Sequence, residues 1–331
     1  MTTARKHIVD EHNSGFYHCT NRCVRRTFLC GVDDVTGKDY SHRKNWIEKR
    51  IFELSDIFSI DIYAFAVMVN HYHIVLHVNP LAPLKWADEE VADKWLRAYG
   101  HSSSTIKNDL RATLKRQAIM ADKKKLKTYR KRLGSLSWFM GRLNEPLAKQ
   151  SNQEDYCTGR FWEGRFHSQP LLDEGAVLSC MAYVDLNPIR ADIAQTLERS
   201  KHTSIKKRID DVKKNNSNKL QQELDRQVQS INKSIKQKVL PITLREYIQL
   251  VEWTGQSILY PGKSNLPMNL YSTFDNFNLQ QTHWLSQIKN LDTNYCHVIG
   301  PIELIRNKAN QIKKRCLKGM TAARLLYKKS E

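Results

Sequence analysis

The chain has 331 residues, which suits about two domains of ordinary size. Its 53 lysines and arginines stand against 34 acidic residues, a formal net charge of +19, and 40% of the residues are hydrophobic. That balance excludes a disordered chain and points to a polyanionic partner, nucleic acid ahead of an acidic membrane surface. Apolar runs such as 62–69 are too short to span a bilayer, and the first residues lack an apolar signal core, so neither membrane insertion nor secretion is expected. Seven cysteines at irregular spacings read as reduced thiols of a cytoplasmic protein. Cys19, Cys23 and Cys30, with His18 beside them, lack the paired C-x2-C knuckles of a zinc site and read as small buried thiols.

In chain order, residues 15–24 are rich in β-formers and predict a strand. Ser41 is placed to cap a helix carrying Trp46, Ile47, Ile51, Phe52 and Leu54 at helical spacing. The apolar run 60–68 predicts a buried strand, and Val69-Asn70 breaks it from a second strand over 71–78. An insert follows over about 80–158, with helical stretches at 86–99, 106–133 and 136–150. Residues 161–172 predict another strand, with Phe161, Glu163, Arg165 and His167 on one face. Asp173 is placed to cap a helix through Val177, Leu178, Met181 and Val184, which Pro188 stops. The pattern is an α+β chain, close to the ferredoxin-like β-α-β-β-α-β sheet plan, with a helical insert. On this reading residues 1–200 form one domain, 201–240 a basic linker or helical arm, and 241–331 a helical C-terminal extension that is a candidate accessory DNA-binding region.

The positive charge is concentrated. Residues 107–132 hold eleven basic and two acidic side chains, and 201–238 hold eleven and four. Two such runs flanking a core predict a phosphate-binding surface, with Lys107, Arg111, Lys115, Arg116, Lys123, Lys124 and Lys125 as candidate DNA contacts.

Two segments carry the chemistry. On a strand, His71 and His73 project from one face and Tyr72 from the other, so two imidazoles about 7 Å apart can converge on one cation, with His77 further along the same face. On its own, an H-x-H is more often a pair of packing or surface histidines. On a helix, Tyr183 and Asn187 lie four residues apart and share a face. Alone, Tyr183 reads equally well as a core aromatic and Asn187 as a helix C-terminal residue before proline.

Taken together, His71-Tyr72-His73 and Tyr183-x-x-x-Asn187-Pro188-x-Arg190-Ala191 resemble the HUH motif and the tyrosine-bearing helix of single-tyrosine HUH transposases of the insertion-sequence type, closest to REP-associated tyrosine transposases. The segment from Phe16 to Arg22 also resembles that family's first strand, and the segment from Arg160 to Phe166 the stretch ahead of the tyrosine helix. The resemblance spans about 15–192. It implies an HUH endonuclease fold and a DNA-nicking and rejoining activity on single-stranded DNA with hairpin sequences. Tyr183 would be the nucleophile of a 5′-phosphotyrosine intermediate, and His71, His73 and Asn187 would hold Mg²⁺ or Mn²⁺. Arg22, Arg160 and Arg165 would touch phosphates. It further implies a monomer acting in cis, with a homodimer exchanging tyrosines as the alternative. The chain is longer than compact relatives by its insert and by about 130 residues after the tyrosine helix. A non-catalytic nucleic-acid-binding regulator on the same scaffold is the competing reading.

Overall fold

Strand β1 (Gly15–Arg22) alternates: Tyr17 and Cys19 turn to one side of the sheet, Phe16 and His18 to the other. The computed structural model of the protein describes residues 8–24, 30–33, 37–99, 110–214, 217–232, 238–295 and 297–328. Helix α1 (Arg43–Ser55) buries Ile47, Ile51 and Leu54 at helical spacing. Strand β2 (Ile60–Val67) is buried on both faces, with a bulge between Ile62 and Ala64, and β3 (His71–Val78) follows after a three-residue break. With β4 (His167–Leu171) they form one sheet in the order β2-β3-β1-β4, every neighbouring pair antiparallel. The protein is thus a mixed α+β chain.

The sheet separates two hydrophobic cores. On one side, Tyr17, Cys19, Tyr72, Ile74 and Leu76 meet α1 and the insert helices α2 (Asp88–Ala98), α3 (Leu110–Ala121), α4 (Lys123–Leu133) and α5 (Leu136–Glu154). On the other side lies α6 (Glu174–Asp185), capped by Asp173, whose carboxylate accepts from the Ala176 N–H at 2.8 Å. Every residue of α6 from Gly175 to Asp185 is buried, as expected of a helix held between a sheet and a second helical layer. That outer layer contains α7 (Asn187–Arg190), α8 (Ser204–Lys213), α9 (Ser217–Asp225), α10 (Leu244–Leu259), α11 (Tyr271–Asn276), α12 (Gln281–Lys289), α13 (Leu291–Asn294), α14 (Ile302–Gln311) and α15 (Met320–Leu326). Tyr247, Phe274, Trp284 and Leu326 share one core with Tyr183 and Met181. Gly175 permits a close approach to this layer, since a Cβ there would lie 2.9 Å from the Phe277 carbonyl oxygen.

Both sheet edges are covered, which removes the open ladder that invites other chains. Along β2, the Val67 N–H donates to His202 O at 3.0 Å and Asn232 Oδ1 accepts from the Ile62 N–H at 2.7 Å. Along β4, Ile299 donates to Pro170 O at 3.0 Å and accepts from the Leu172 N–H at 2.8 Å. Pro170 lacks an N–H and is tolerated because β4 is the outer strand.

Several local expectations are revised. Residues 161–166 are not a strand: Phe161, Trp162 and Phe166 are buried without alternation, and only a lone bridge joins Cys23 to Trp162. The expected helix over 106–133 is divided at Asp122, which caps α4 by accepting from Lys125 N at 2.9 Å, and its first residues lie outside the described part. His42, not Ser41, occupies the cap position of α1, and the Ser41 N–H instead donates to Asp39. Pro188 does not stop the helical path, because α6 ends at Asp185 and α7 resumes for one turn with proline in its first positions. In 201–240, read as a linker or helical arm, α8 buries Ile205, Arg208, Ile209 and Val212. Among the described residues, no helix is long and apolar enough to cross a membrane.

Candidate active site

On the α6 side, the register of the sheet decides which side chains meet. His73 pairs with Thr20 and His18 with Gln169, so His18 and His73 are diagonal neighbours on the same face. His18 Nε2 and His73 Nδ1 are 2.9 Å apart, their ring planes nearly parallel. His71 meets His73 edge to face at 4.9 Å between ring centres. Helix α6 passes over this face and brings the Tyr183 ring to 5.7 Å from His73 and 6.1 Å from His18. Arg190, one turn beyond the helix break, lies 4.3 Å over the Tyr183 ring.

These groups surround a cavity of about 480 Å³, lined also by Thr20, Arg22, Asn187 and Asp292. Tyr183, Asn187, His71 and His73 therefore share one cavity, although the helix between Tyr183 and Asn187 is interrupted.

Burial sets the charge states. It lowers His18 and His71 to about 4 and His73 further below the ordinary imidazole value, so all three rings are neutral at pH 7. Burial also pushes the Tyr183 phenol up to about 12, while Arg190 acts in the opposite direction. The phenol is therefore protonated in the resting site.

The donor set suits a divalent cation. His71 Nδ1 is 2.6 Å from Asn70 Oδ1 and is engaged there, so Nε2 is the ring nitrogen left for a ligand. The Asn187 Nδ2 atom is buried with no hydrogen-bond partner, an amide end with its polarity uncommitted on the wall beside two neutral imidazoles. Among the described residues, no group of three histidine, cysteine or acidic side chains is arranged to hold a metal ion.

The expected phosphate contacts divide. Arg22 lines the cavity. Arg160 is turned onto the backbone, donating to Trp162 O at 2.8 Å and to Glu163 O. Arg165 borders a separate hollow with Asp10, Glu11 and Ser135. In the insert, Arg116 pairs with Glu89 at 2.9 Å, Lys123 with Asp88 at 3.3 Å and Lys125 with Asp122 at 3.2 Å, while Lys124 is exposed. Lys115 and Lys125 border a groove with Trp95, Tyr99 and Tyr129, and Arg111 lies exposed on α3. Lys107 falls outside the described residues. Tyr72 faces the other core and donates to Asn144 Oδ1 at 2.6 Å. His77 lies away from the cavity, against Phe16 at 4.8 Å. Cys19, Cys23 and Cys30 are buried in the opposite core from His18.

Sequence reasoning assigned no role in the site to His18, Gln169, Arg190, Asp292 or Tyr295, all of which line the cavity. Strand alternation gives the face of His18, but only pairing with β3 and β4 reveals its neighbours. Nothing local to Asp292 or Tyr295 signals that the C-terminal helices return to the sheet.

No family model matches the chain, and no curated protein does. Among solved structures, the chain is similar to a REP-associated tyrosine transposase bound to a REP hairpin, over 63% of this chain and 86% of the other, with 9% identity and a TM-score of 0.38.

Proposed function

We propose that the protein is a tyrosine-dependent DNA strand transferase of the HUH type, acting on single-stranded DNA at hairpins, as a transposase does. The observation that carries this reading is the approach of the Tyr183 ring to His73 and His18 across one cavity, with Asn187 and Arg190 beside it. The antiparallel order β2-β3-β1-β4, with α1 between β1 and β2 and α5 between β3 and β4, supports the ferredoxin-like plan.

In this reading the Tyr183 oxygen attacks phosphorus, the P–O3′ bond breaks, and the departing 3′ oxygen takes up the proton the phenol gives up. The resulting 5′-phosphotyrosine keeps the bond energy for rejoining. Arg190 and Arg22 bring positive charge to the phosphate, and Arg190 favours ionisation of the phenol. His71, His73 and Asn187 would hold Mg²⁺ or Mn²⁺, which when bound polarises a non-bridging phosphate oxygen. Neutral imidazoles are softer ligands than Mg²⁺ usually takes, which favours Mn²⁺. The exposed basic side chains of α3 and α4 would follow a hairpin stem through its phosphates.

The test is a covalent-adduct assay with purified protein, Mn²⁺ and end-labelled single-stranded hairpins. The wild type is expected to give a protein–DNA adduct that Tyr183→Phe abolishes, with hairpin binding retained. An adduct persisting in Tyr183→Phe removes the assigned nucleophile. Gel shifts without cleavage under both Mg²⁺ and Mn²⁺ favour the binding-only regulator.

A further inference from the structure

We infer that Gln169 and His18 are positioning residues that hold His73 in the tautomer with its lone pair on Nε2, and that the main-chain carbonyl of Tyr295 fixes the polarity of this relay. The inference rests on the proposed function in one respect, the divalent cation for which that lone pair is kept.

Donor counting assigns each ring in turn. A main-chain carbonyl oxygen only accepts, and Tyr295 O lies 3.1 Å from Gln169 Nε2, so the amide nitrogen faces it. The amide oxygen then faces His18, 3.4 Å from Nδ1. That oxygen also only accepts, so His18 Nδ1 carries the proton. A neutral imidazole has one proton, which leaves His18 Nε2 as an acceptor. It lies 2.9 Å from His73 Nδ1, which must donate. His73 then has no proton for Nε2, and its ring lines the cavity with His71 and Asn187. Reversing the amide would set oxygen against oxygen at Tyr295, so the main-chain carbonyl alone fixes its orientation.

The surroundings keep the relay in place. His18, Gln169 and His73 are all buried, so water does not readily substitute for a missing partner. Gln169 sits directly opposite His18 in the β1–β4 register. The anchor, Tyr295, follows α13 in the C-terminal extension, so the tautomer of a histidine on β3 is set from the far end of the chain. Which imidazole nitrogen binds metal is decided by the hydrogen bond made by the other one.

The experiment uses the full chain with ¹⁵N-labelled histidine. Long-range ¹H–¹⁵N correlation spectra of the metal-free protein are expected to show His18 and His73 both as Nδ1–H tautomers. Mn²⁺ titration by electron paramagnetic resonance is expected to show affinity reduced by about 10- to 100-fold in His18→Leu and Gln169→Leu. His18→Gln offers an amide oxygen where His18 Nε2 lay and is expected to retain most of the affinity, whereas a purely packing role would treat both His18 variants alike. An Nε2–H tautomer at His73 in the wild type overturns the relay, as does unchanged affinity in folded His18→Leu. Both rings in the Nδ1–H form with no Mn²⁺ binding by the wild type would sustain the relay and remove the cation from the proposed function. The wild-type spectrum decides the tautomers even if a variant does not fold.

Discussion

The Arg190 guanidinium lies 4.3 Å over the ring of Tyr183, the group proposed as nucleophile. Burial holds this phenol near 12, and Arg190 acts against that rise. Below that value the ionised fraction grows tenfold per pH unit, so adduct formation is expected to accelerate from pH 7 to pH 9. Arg190→Met raises the phenol further and is expected to slow adduct formation at pH 8 by about tenfold or more, each unit of pKa being a factor of ten. Arg190→Lys should recover part of the loss. Single-turnover rates across this pH range check it, and an unchanged rate in Arg190→Met would remove the charge effect.

Acid should unfold the protein through its buried histidines. His18 and His71 are held at about 4 by burial, whereas an unfolded imidazole titrates near 6.5. As the pH falls from about 6.5 to 4, the unfolded chain binds protons that the folded one refuses. Stability is therefore complete above the upper value and is lost below it, by about 1.4 kcal/mol per unit for each ring. Asp185 works in the other direction: burial raises its carboxyl to about 6, so the folded form keeps a proton that the unfolded chain loses above about 4. Two rings outweigh one carboxyl, and urea midpoints are expected to fall from pH 7 to pH 5. Asp185→Asn removes the opposing contribution and should make that fall steeper. A parallel pH dependence in wild type and variant would contradict the assignment.

The turn between Tyr183 and Asn187 is packed against a glycine of α10. A Cβ on Gly255 would lie 3.0 Å from Leu186 Cδ2 and 3.3 Å from Ile189 Cδ1. Gly255→Val is expected to cost about 1–3 kcal/mol by overpacking and to displace the Leu186 turn. Adduct formation should fall more than hairpin binding does, because the displaced turn joins Tyr183 to Asn187. Thermal melting with paired cleavage and binding assays would test this, and equal losses in both assays would count against it.

Basic residues of the insert should differ in their effect on DNA. Arg116 is engaged with Glu89 at 2.9 Å, whereas Lys124 is an exposed residue of α4. Lys124→Gln is expected to weaken binding of a hairpin stem and to reduce the slope of log affinity against log salt by about 0.9, the effect of one lost phosphate contact. Arg116→Gln should leave that slope nearly unchanged. Fluorescence anisotropy at several salt concentrations distinguishes them, and an unaltered slope in Lys124→Gln would take this residue off the DNA path.

The part of the site readable from sequence is the part built from local rules. Strand alternation puts His71 and His73 together and sends Tyr72 to the other core, where its hydroxyl bonds Asn144. Helical spacing brings Tyr183 near Asn187, and the observed break at Leu186 leaves both on the same cavity. His18 needed the register of three strands to acquire its partners, and Asp292 and Tyr295 needed the packing of the C-terminal helices. The segment 161–166 misleads for a related reason. Its aromatic residues favour strands, but Phe161 and Trp162 are both buried in one core, which an alternating strand does not allow.

Because Asp292 and Tyr295 complete the wall around Tyr183, synthesis itself sets a sequence of events. A ribosome delivers the helix of Tyr183 well before the residues that close the pocket around it. A polypeptide cut short by an early stop codon or a protease would carry the tyrosine and the histidine pair, yet with that flank missing and the Gln169 amide released from its anchor.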